Sequence, residues 1–166
     1  MHKITPCLWY DTQAEEAVNY YVNVFTAAGR TNCKVGAVAR YADEASAVSG
    51  MPKGTVMTVA FQLDGQDFLA LNGGPVFKFT EAISLMANCE TQKEIDFLWD
   101  KLTDGGQESQ CGWLKDKFGL SWQIVPEALQ KLMGNHDPGR SKRVMAALLQ
   151  MQKIDIEKLQ KAADQK

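Results

Sequence analysis

Alternation of apolar and polar side chains is clearest in residues 116–126, DKFGLSWQIVP. A tight polar turn closed by Gly119 leads into a stretch with the two-residue period of a β-strand. Its apolar set is Leu120, Trp122 and Ile124, and its mixed set is Ser121, Gln123 and Val125. Residues 64–75, DGQDFLALNGGP, repeat the plan of an Asp-Gly turn, an apolar strand and a break. Two such hairpins, each in a unit that also carries an amphipathic helix, predict a duplicated module.

Two capping boxes mark where the helices of these units begin. They are TQAE at residues 12–15 and TQKE at residues 91–94, in which a Thr hydroxyl bonds first-turn amides and a Glu reaches back. Each is followed by apolar residues at helical spacing. The first stripe is Ala17, Tyr20, Tyr21, Val24 and Phe25, and the second is Ile95, Leu98, Trp99 and Leu102.

The remaining segments of both units have strand character. They cover residues 4–10, 34–41, 55–63 and 67–71 in the first unit and residues 81–89, 108–114 and 120–125 in the second. The connector ADEASAVSGMPKG, which is small, polar and contains Pro and Gly, predicts a mobile loop. The order of elements supports duplication more strongly than residue identity does.

After Pro126 the pattern becomes wholly helical. A short helix follows this proline, and Asp137 and Pro138 are predicted as the N-cap and first residue of the next helix. Two further stripes are Val144, Ala147, Leu148 and Met151, and then Ile156, Leu159 and Ala163. Amphipathic helices of this kind must pack against another surface.

The amino-acid composition and net charge exclude some classes of protein function. The 166 residues are 45% hydrophobic, enough for one good core with an appendage. The net charge of −2 provides no basic field for nucleic acid or an anionic membrane, and no apolar run approaches the roughly 20 residues that span a bilayer. The N-terminal sequence does not have the pattern of a signal peptide. Four scattered cysteines predict reduced thiols and a cytoplasmic protein.

Several motifs together resemble one known family. CLWYDTQAEEAVNYYVNVF, LNGGP, CGWLKDKFGLSWQIVP and the tail RVMAALLQMQKIDIEKLQKA are similar to the PhnB-like branch of the vicinal oxygen chelate, or glyoxalase/bleomycin-resistance, superfamily. That branch is often labelled 3-demethylubiquinone-9 3-methyltransferase. The resemblance implies an α+β fold in which paired βαβββ modules form a cupped, incomplete barrel, generally as a homodimer. It predicts a domain over residues 1–126, with modules 1–75 and 76–126, and a C-terminal helical extension over residues 127–166.

The same resemblance implies where a divalent metal would be held. The four ligand positions fall on Pro6 (or Ile4, if the first strand is shifted), Leu69, Ser84 and Gln123. Only the Gln123 side chain is a plausible ligand, and one neutral amide does not hold a metal. We therefore expect no metal site and no cofactor. The methyltransferase label has no support in the residues, because no glycine-rich turn joins a strand to a helix.

The predicted ligand-binding residues are those that the module pairing would turn toward a common interior, together with one nearby thiol. They are Gln123, Ser84, Tyr10, Leu69, Met86, Asn88 and Cys111. Leu120, Trp122 and Ile124 should meet the helices instead. The catalytic residues, if any exist, are not identified.

Three functions remain open from sequence. The leading hypothesis is a small-molecule-binding protein that has lost the metal of its superfamily, with an unknown ligand. The second is an enzyme of the superfamily, either with non-standard metal ligands or metal-free and using Tyr10, Asp67 or Cys111. The third is a dimeric interaction protein with a residual cavity. None of these readings includes a nucleic-acid or membrane partner.

Overall fold

The computed structural model describes residues 4–134 and 138–165 of the chain. The chain divides into two compact units, Met1–Phe79 and Thr80–Lys166, which we name the N-terminal and the C-terminal unit. None of the helices within the described ranges combines the length and the apolar composition needed to cross a bilayer.

The N-terminal unit is a four-stranded sheet with helix α1 packed on one face. Its elements are β1 Cys7–Tyr10, α1 Ala14–Ala27, β2 Lys34–Arg40, α2 Asp43–Ser49, β3 Val56–Leu63 and β4 Gln66–Asn72. The strand order is β1-β4-β3-β2, with β1 parallel to β4 and the other neighbours antiparallel. The predicted α1 stripe is confirmed, since Ala17, Tyr21, Val24 and Phe25 are buried, with Tyr20 only half-buried.

Helix α1 is capped by a side chain from β4 rather than by its own box. Gln13 occupies the N-cap position and makes no side-chain capping bond. Instead Asn72 Oδ1 accepts the N–H of Ala14 at 2.8 Å, while Asn72 Nδ2 donates to the Val56 carbonyl at 3.0 Å. The Tyr41 hydroxyl donates to the Asn72 carbonyl at 2.6 Å. The predicted Thr12 capping box is therefore wrong, because a buried amide from the sheet supplies the acceptor.

The connector between β2 and β3 is not entirely a loop. It contains α2, a seven-residue helix with no buried residue, which ends at Gly50 with a φ of +73°. The predicted mobile loop is wrong at these positions. Small side chains such as those of Ala45 and Ser46 are compatible with a helical turn as well as with a loop.

The C-terminal unit repeats the same topology and adds three helices. Its elements are β5 Ser84–Cys89, α3 Gln92–Thr103, β6 Gln107–Glu108, β7 Trp113–Lys115, β8 Ser121–Pro126, α4 Glu127–Met133, α5 Pro138–Leu148 and α6 Ile156–Asp164. The strand order β5-β8-β7-β6, with β5 parallel to β8, matches the first sheet position by position. The matching topologies confirm the predicted α+β fold of paired βαβββ modules with C-terminal helices.

Two details of the second unit refine the sequence analysis. The Thr91 cap is confirmed, since its hydroxyl accepts the N–H of Glu94 at 3.2 Å, and Glu94 Oε2 accepts the N–H of Glu90 at 2.9 Å. The single strand predicted over residues 108–114 is divided into β6 and β7. The division falls where Cys111 and Gly112 adopt left-handed φ values of +60° and +83°.

A buried carboxylate organises the turn into β8. Asp116 Oδ1 accepts the N–H groups of Phe118 and Leu120 at 2.9 and 3.1 Å, and its Oδ2 accepts the Trp122 Nε1–H at 2.8 Å. Trp122 is 2% exposed and Ile124 is fully buried, on the strand against which α3 packs. The predicted orientation of the apolar set in β8 is confirmed.

The three tail helices form a core of their own. Gln92 of α3 holds the segment before α6, donating to the Ile154 carbonyl at 3.1 Å and accepting the Ile156 N–H at 2.9 Å. Arg143 donates to the carbonyls of Ala162 and Ala163 at the end of α6. The predicted N-cap Asp137 lies outside the described residues. The buried members of this core are Leu132, Val144, Leu148, Met151, Ile154, Leu159 and Ala163.

Replacing Asp116 by Ala should lower the free energy of unfolding by about 2–5 kcal/mol, because three N–H donors, two of them buried, lose their acceptor. Chemical denaturation of Asp116→Ala and of Asp104→Ala, an aspartate at the end of α3, gives the comparison. The Asp104 variant should change stability by no more than about 0.5 kcal/mol. Equal effects in the two variants would contradict the role assigned to Asp116.

A leucine pair tests whether the tail is part of the folded core. Leu159 is fully buried, whereas Leu149 is 57% exposed. Leu159→Ala should cost about 2–5 kcal/mol as a cavity-forming core truncation. Leu149→Ala should be close to neutral in the same denaturant titration. A neutral Leu159→Ala would mean that α6 contributes little to the stability of the chain.

Candidate functional site

In the N-terminal unit, strand register sorts the side chains onto two faces of the sheet. One face carries the buried residues Val59, Phe61 and Ala70, on the strands that contact α1. The other face lies away from that helix, and we name it the first open face. Cys7 pairs with Leu69, and Leu69 with Ala60, so that these three side chains form an apolar row across β1, β4 and β3.

A pocket of about 280 Å³ lies on the first open face. Its lining consists of Thr5, Cys7, Lys34, Gly36, Ala60, Phe61, Gln62, Asp67, Phe68 and Leu69. The apolar row forms one part of this lining. Beside it lies a polar row, because Lys34 pairs with Gln62 and Gln62 with Asp67 across β2, β3 and β4. The pocket is therefore largely apolar with polar groups concentrated along one row.

The polar row is internally bonded. Gln62 Nε2 donates to Asp67 Oδ1 at 2.6 Å, and both residues are only partly buried. This bond fixes the amide orientation and directs the carboxylate along the sheet. Lys34 is exposed on the neighbouring edge strand and contributes a positive charge to the same pocket. The polar row thus offers an ammonium, an amide and a carboxylate to a ligand lying on the apolar row.

A glycine keeps the floor of the pocket open. A Cβ placed on Gly36 would lie 3.1 Å from the Ala60 carbonyl oxygen and 3.4 Å from the Ala60 Cβ. The pairing of β2 with β3 shifts register between Val35 and Val38, which is a local bulge around this glycine. A larger residue at this position would press on β3 and on the pocket.

The Cys7 sulfur is placed in the pocket but is not activated there. Although the residue is exposed at the surface, desolvation by its neighbours raises the pKa of the Cys7 thiol. A raised pKa favours the protonated thiol near neutral pH, which is a poor nucleophile. In this pocket the side chain contributes apolar surface.

In the C-terminal unit, Trp122 and Ile124 lie on the buried face of the sheet, and we name the opposite face the second open face. This face carries four of the predicted ligand-binding residues. Ser84, Met86 and Asn88 pair with Ser121, Gln123 and Val125 of the parallel strand β8. Gln123 Nε2 donates to Ser84 Oγ at 2.9 Å. Met86 is 52% exposed, and Asn88 is also exposed. The structure brings these residues together on one face, and their role in binding a ligand stays a prediction.

Tyr10 lies on a different face from the one expected. Its partner in β4 is Asn72, and its hydroxyl donates to the Tyr21 hydroxyl of α1 at 3.3 Å. Its ring also packs edge-on against Phe79 at 5.2 Å between centroids. Tyr10 is thus buried on the helix side, whereas Leu69 lines the pocket on the first open face. The expectation that Tyr10 and Leu69 share one face is wrong, because the β1–β4 register gives them opposite orientations.

Cys111 is in contact with the tail instead of an open face. Its N–H donates to the Met151 carbonyl at 2.7 Å, and its thiol lies 3.6 Å from the Leu148 carbonyl oxygen. The neighbouring Gly112 N–H donates to the Gln152 carbonyl at 2.7 Å. The expected proximity of Cys111 to the cavity is therefore corrected: the left-handed turn directs it to the core of the tail helices.

Within the part of the chain that the structure describes, metal-binding side chains do not converge. Among residues 4–134 and 138–165, no three His, Cys, Asp or Glu side chains could hold an ion together. Of the positions implied by the family resemblance, Leu69 lies in the pocket and Ser84 is hydrogen-bonded to Gln123. A leucine, a serine and an amide do not fit a divalent transition metal, which prefers imidazole, thiolate or carboxylate ligands.

The fold and the candidate site define a protein built from two modules of the same strand topology, each with an open sheet face. The family model described as 3-demethylubiquinone-9 3-methyltransferase matches residues 2–125. The chain belongs to this family, so the resemblance to the PhnB-like branch is confirmed. No curated protein matches the chain.

The chain is also similar to several solved structures. The PhnB protein from Bacillus cereus is 32% identical, with a TM-score of 0.64, and the match covers 75% of this chain and 99% of that one. A protein from Pseudomonas aeruginosa shares the fold at 20% identity and a TM-score of 0.59, over 76% and 98% of the two chains. A glyoxylase/bleomycin resistance protein/dioxygenase domain from Frankia sp. is more distant, at 13% identity and a TM-score of 0.47, over 76% and 92% of the two chains.

Sequence reasoning missed most of the residues that line the pocket of the first open face. Cys7, Lys34 and Gln62 were not among the predicted site residues, although all three line the pocket. Gln62 is the sole non-apolar residue in AFQL, residues 60–63. A polar residue within an apolar strand indicates that one face of that strand is not packed in the core. Cys7 and Lys34 carry no comparable local signal, because strand pairing decides which way they point.

Proposed function

We propose that this protein binds a compact, mainly apolar organic molecule in the pocket of the first open face. The observation that carries the proposal is the combination of an apolar row, Cys7, Leu69 and Ala60, with an adjoining bonded polar row. Apolar walls with a few placed polar groups are the usual construction of small-molecule sites. The volume of about 280 Å³ suits a ligand at the small end of that range.

The polar row supports a ligand with one polar end. Lys34 would pair with an electron-rich group such as a carbonyl, enolate or phenolate oxygen. The Gln62–Asp67 pair would accept or exchange a hydrogen bond at the same end. The rest of the ligand would lie along the apolar row. The proposal includes no surface that binds nucleic acid or phosphate, and it includes no membrane contact.

The proposed site works without a metal or another cofactor. The support is chemical, since the residues at the family's ligand positions do not fit a divalent ion. The family description names a methyl transfer, which we do not include. The turns from β1 to α1 and from β5 to α3, residues 11–13 and 90–91, contain no glycine to admit a nucleotide-like methyl donor.

A second candidate function is metal-free proton transfer in the same pocket. Asp67 favours it, because its carboxylate lines the pocket and could remove a proton from a carbon acid. Tyr10 and Cys111 do not support it, since they contact Tyr21 and the tail. A binding function requires fewer chemically active side chains in the pocket than proton transfer does. We therefore favour the binding function.

We further propose that the protein is a cytoplasmic homodimer in which residues 1–126 form the binding domain and residues 127–166 a structural extension. The scattered free thiols support a reducing compartment. The edge strand β2, exposed along all seven residues, supports self-association, because natural proteins rarely leave a long apolar edge uncovered. Val35 and Val38 on this strand are each about two-fifths exposed.

A thermal-shift screen of compact organic compounds, with and without divalent metals, tests the binding proposal. At least one compound should raise the melting temperature equally in the presence and absence of metal. Shifts that require the metal would instead favour an enzyme with non-standard ligands. A complete absence of shifts would favour the interaction-protein reading.

Two variants on β4 locate the binding event. Leu69→Trp should fill the pocket and abolish the shift caused by any compound found in the screen. Leu71→Trp is the matched control, since Leu71 has the same orientation two residues along β4 and does not line the pocket. If both variants respond to the compound as the unmodified protein does, the ligand binds elsewhere.

Light scattering coupled to gel filtration should give a mass twice the 18.4 kDa of the chain at micromolar concentration. An obligate interface of this kind typically buries on the order of 2,000 Å² or more. A mass of one chain would contradict the homodimer without bearing on the pocket.

A further inference from the structure

The polar row of the first open face ends in an ammonium group. Lys34 lies on the edge strand β2, is exposed, and lines the pocket. Within residues 4–134 and 138–165, no carboxylate forms an ion pair with it. The described part of the chain therefore leaves the positive charge of Lys34 available to a ligand in the pocket.

The one acidic residue of the lining, Asp67, lies at the opposite end of this row. Strand pairing places Gln62 between Asp67 and Lys34, so the backbones of the two charged residues are two strand spacings, or about 10 Å, apart. Asp67 Oδ1 accepts the Gln62 Nε2–H at 2.6 Å. An anion bound at Lys34 would thus be separated from the Asp67 charge by the amide.

A glycine leaves room for a polar head group beside the ammonium. Gly36 lines the same pocket two residues after Lys34. It lies against Ala60, at the β2 end of the apolar row. Because Gly36 has no Cβ, the surface of the sheet is uncovered at this point. The uncovered end of the apolar row therefore adjoins the one lysine of the pocket.

The Gln62 amide provides a second donor at this place. A primary amide has two N–H groups, and the bond to Asp67 uses one of them. A carboxylate has two oxygens, which can accept from the Lys34 ammonium and from the remaining N–H. One lysine and one amide N–H thus match a single carboxylate, whereas a phosphate dianion would bring a second negative charge toward Asp67.

We propose that the pocket of the first open face selects the anion of a compact, apolar monocarboxylic acid. Lys34 and Gln62 hold the carboxylate above Gly36, and the apolar body of the acid lies along Ala60 and Leu69. This inference rests on the function proposed above, and it adds the charge and the functional group of the ligand.

Three probes with the same branched carbon skeleton separate charge from shape: 4-methylpentanoate, 4-methylpentanamide and 4-methylpentylammonium. Titration of the isotope-labelled full chain by NMR should give saturable shifts of the Leu69 methyl groups and the Gln62 side-chain amide with 4-methylpentanoate. 4-Methylpentanamide should bind about three- to tenfold more weakly, since hydrogen bonds to an ionised acceptor are stronger than neutral ones. 4-Methylpentylammonium should give no saturable shift at these signals.

Two lysine variants assign the charge. Lys34→Gln should weaken the binding of 4-methylpentanoate about three- to tenfold and change that of 4-methylpentanamide by less than about twofold, because it removes the charge and keeps an N–H donor. Lys53→Gln is the matched control, since Lys53 pairs with Asp43 and does not line the pocket. The control variant should change neither affinity.

Two results would overturn the inference while the proposed function stands. One is binding of 4-methylpentanamide or 4-methylpentylammonium at the Leu69 and Gln62 signals at least as tightly as 4-methylpentanoate. The other is an unchanged preference for the carboxylate in Lys34→Gln. The absence of saturable shifts with all three probes would also overturn it.

Failure of the proposed function itself has a different signature. If the Gln62 amide shifts caused by 4-methylpentanoate persist unchanged in Leu69→Trp, the probe binds outside the pocket, and both the pocket assignment and the inference built on it are wrong.

Discussion

The buried Asp116 carboxylate is the constraint on which the C-terminal sheet depends. By accepting two backbone N–H groups and the Trp122 indole, it closes the turn between β7 and β8 in one geometry only. A slip of one residue in β8 would exchange its two faces, placing Trp122 outward and Gln123 against α3. The composition of the second open face therefore follows from a hydrogen-bonding requirement located in the adjacent turn.

Local patterns predicted those parts of the fold that depend on neighbours in sequence. The alternation in β8, the stripes of α1 and α3 and the Thr91 cap are all properties of short segments. Three features could not be predicted from local patterns, because they depend on the folded chain and not on neighbouring residues alone. Asn72 caps α1 from 58 residues away, Cys111 is turned into the tail by a left-handed backbone, and CLWY has no alternation from which the side of Tyr10 could be read. The candidate site is spread over several strands, so its composition depends on strand register.

The two modules share a topology but differ in the chemistry of their open faces. The first has an apolar row and one polar row with a lysine at its edge. The second combines the serine–glutamine pair of Ser84 and Gln123 with the ion pair of Lys115 and Glu81. The two sheets have the same strand order but carry different side chains on the faces that point away from the helices. Function in such a fold is a property of each face separately.

The Asn72 side chain also has a bearing on how the N-terminal unit forms. It joins the last residue of β4 to the first turn of α1 and to the start of β3, so the helix is capped only after the sheet has closed. Contacts of such long sequence separation delay folding, because the loop entropy is lost before the bond is gained. The first turn of α1 is thus expected to fray first in this unit, because Asn72 makes the order of the helix depend on completion of the sheet.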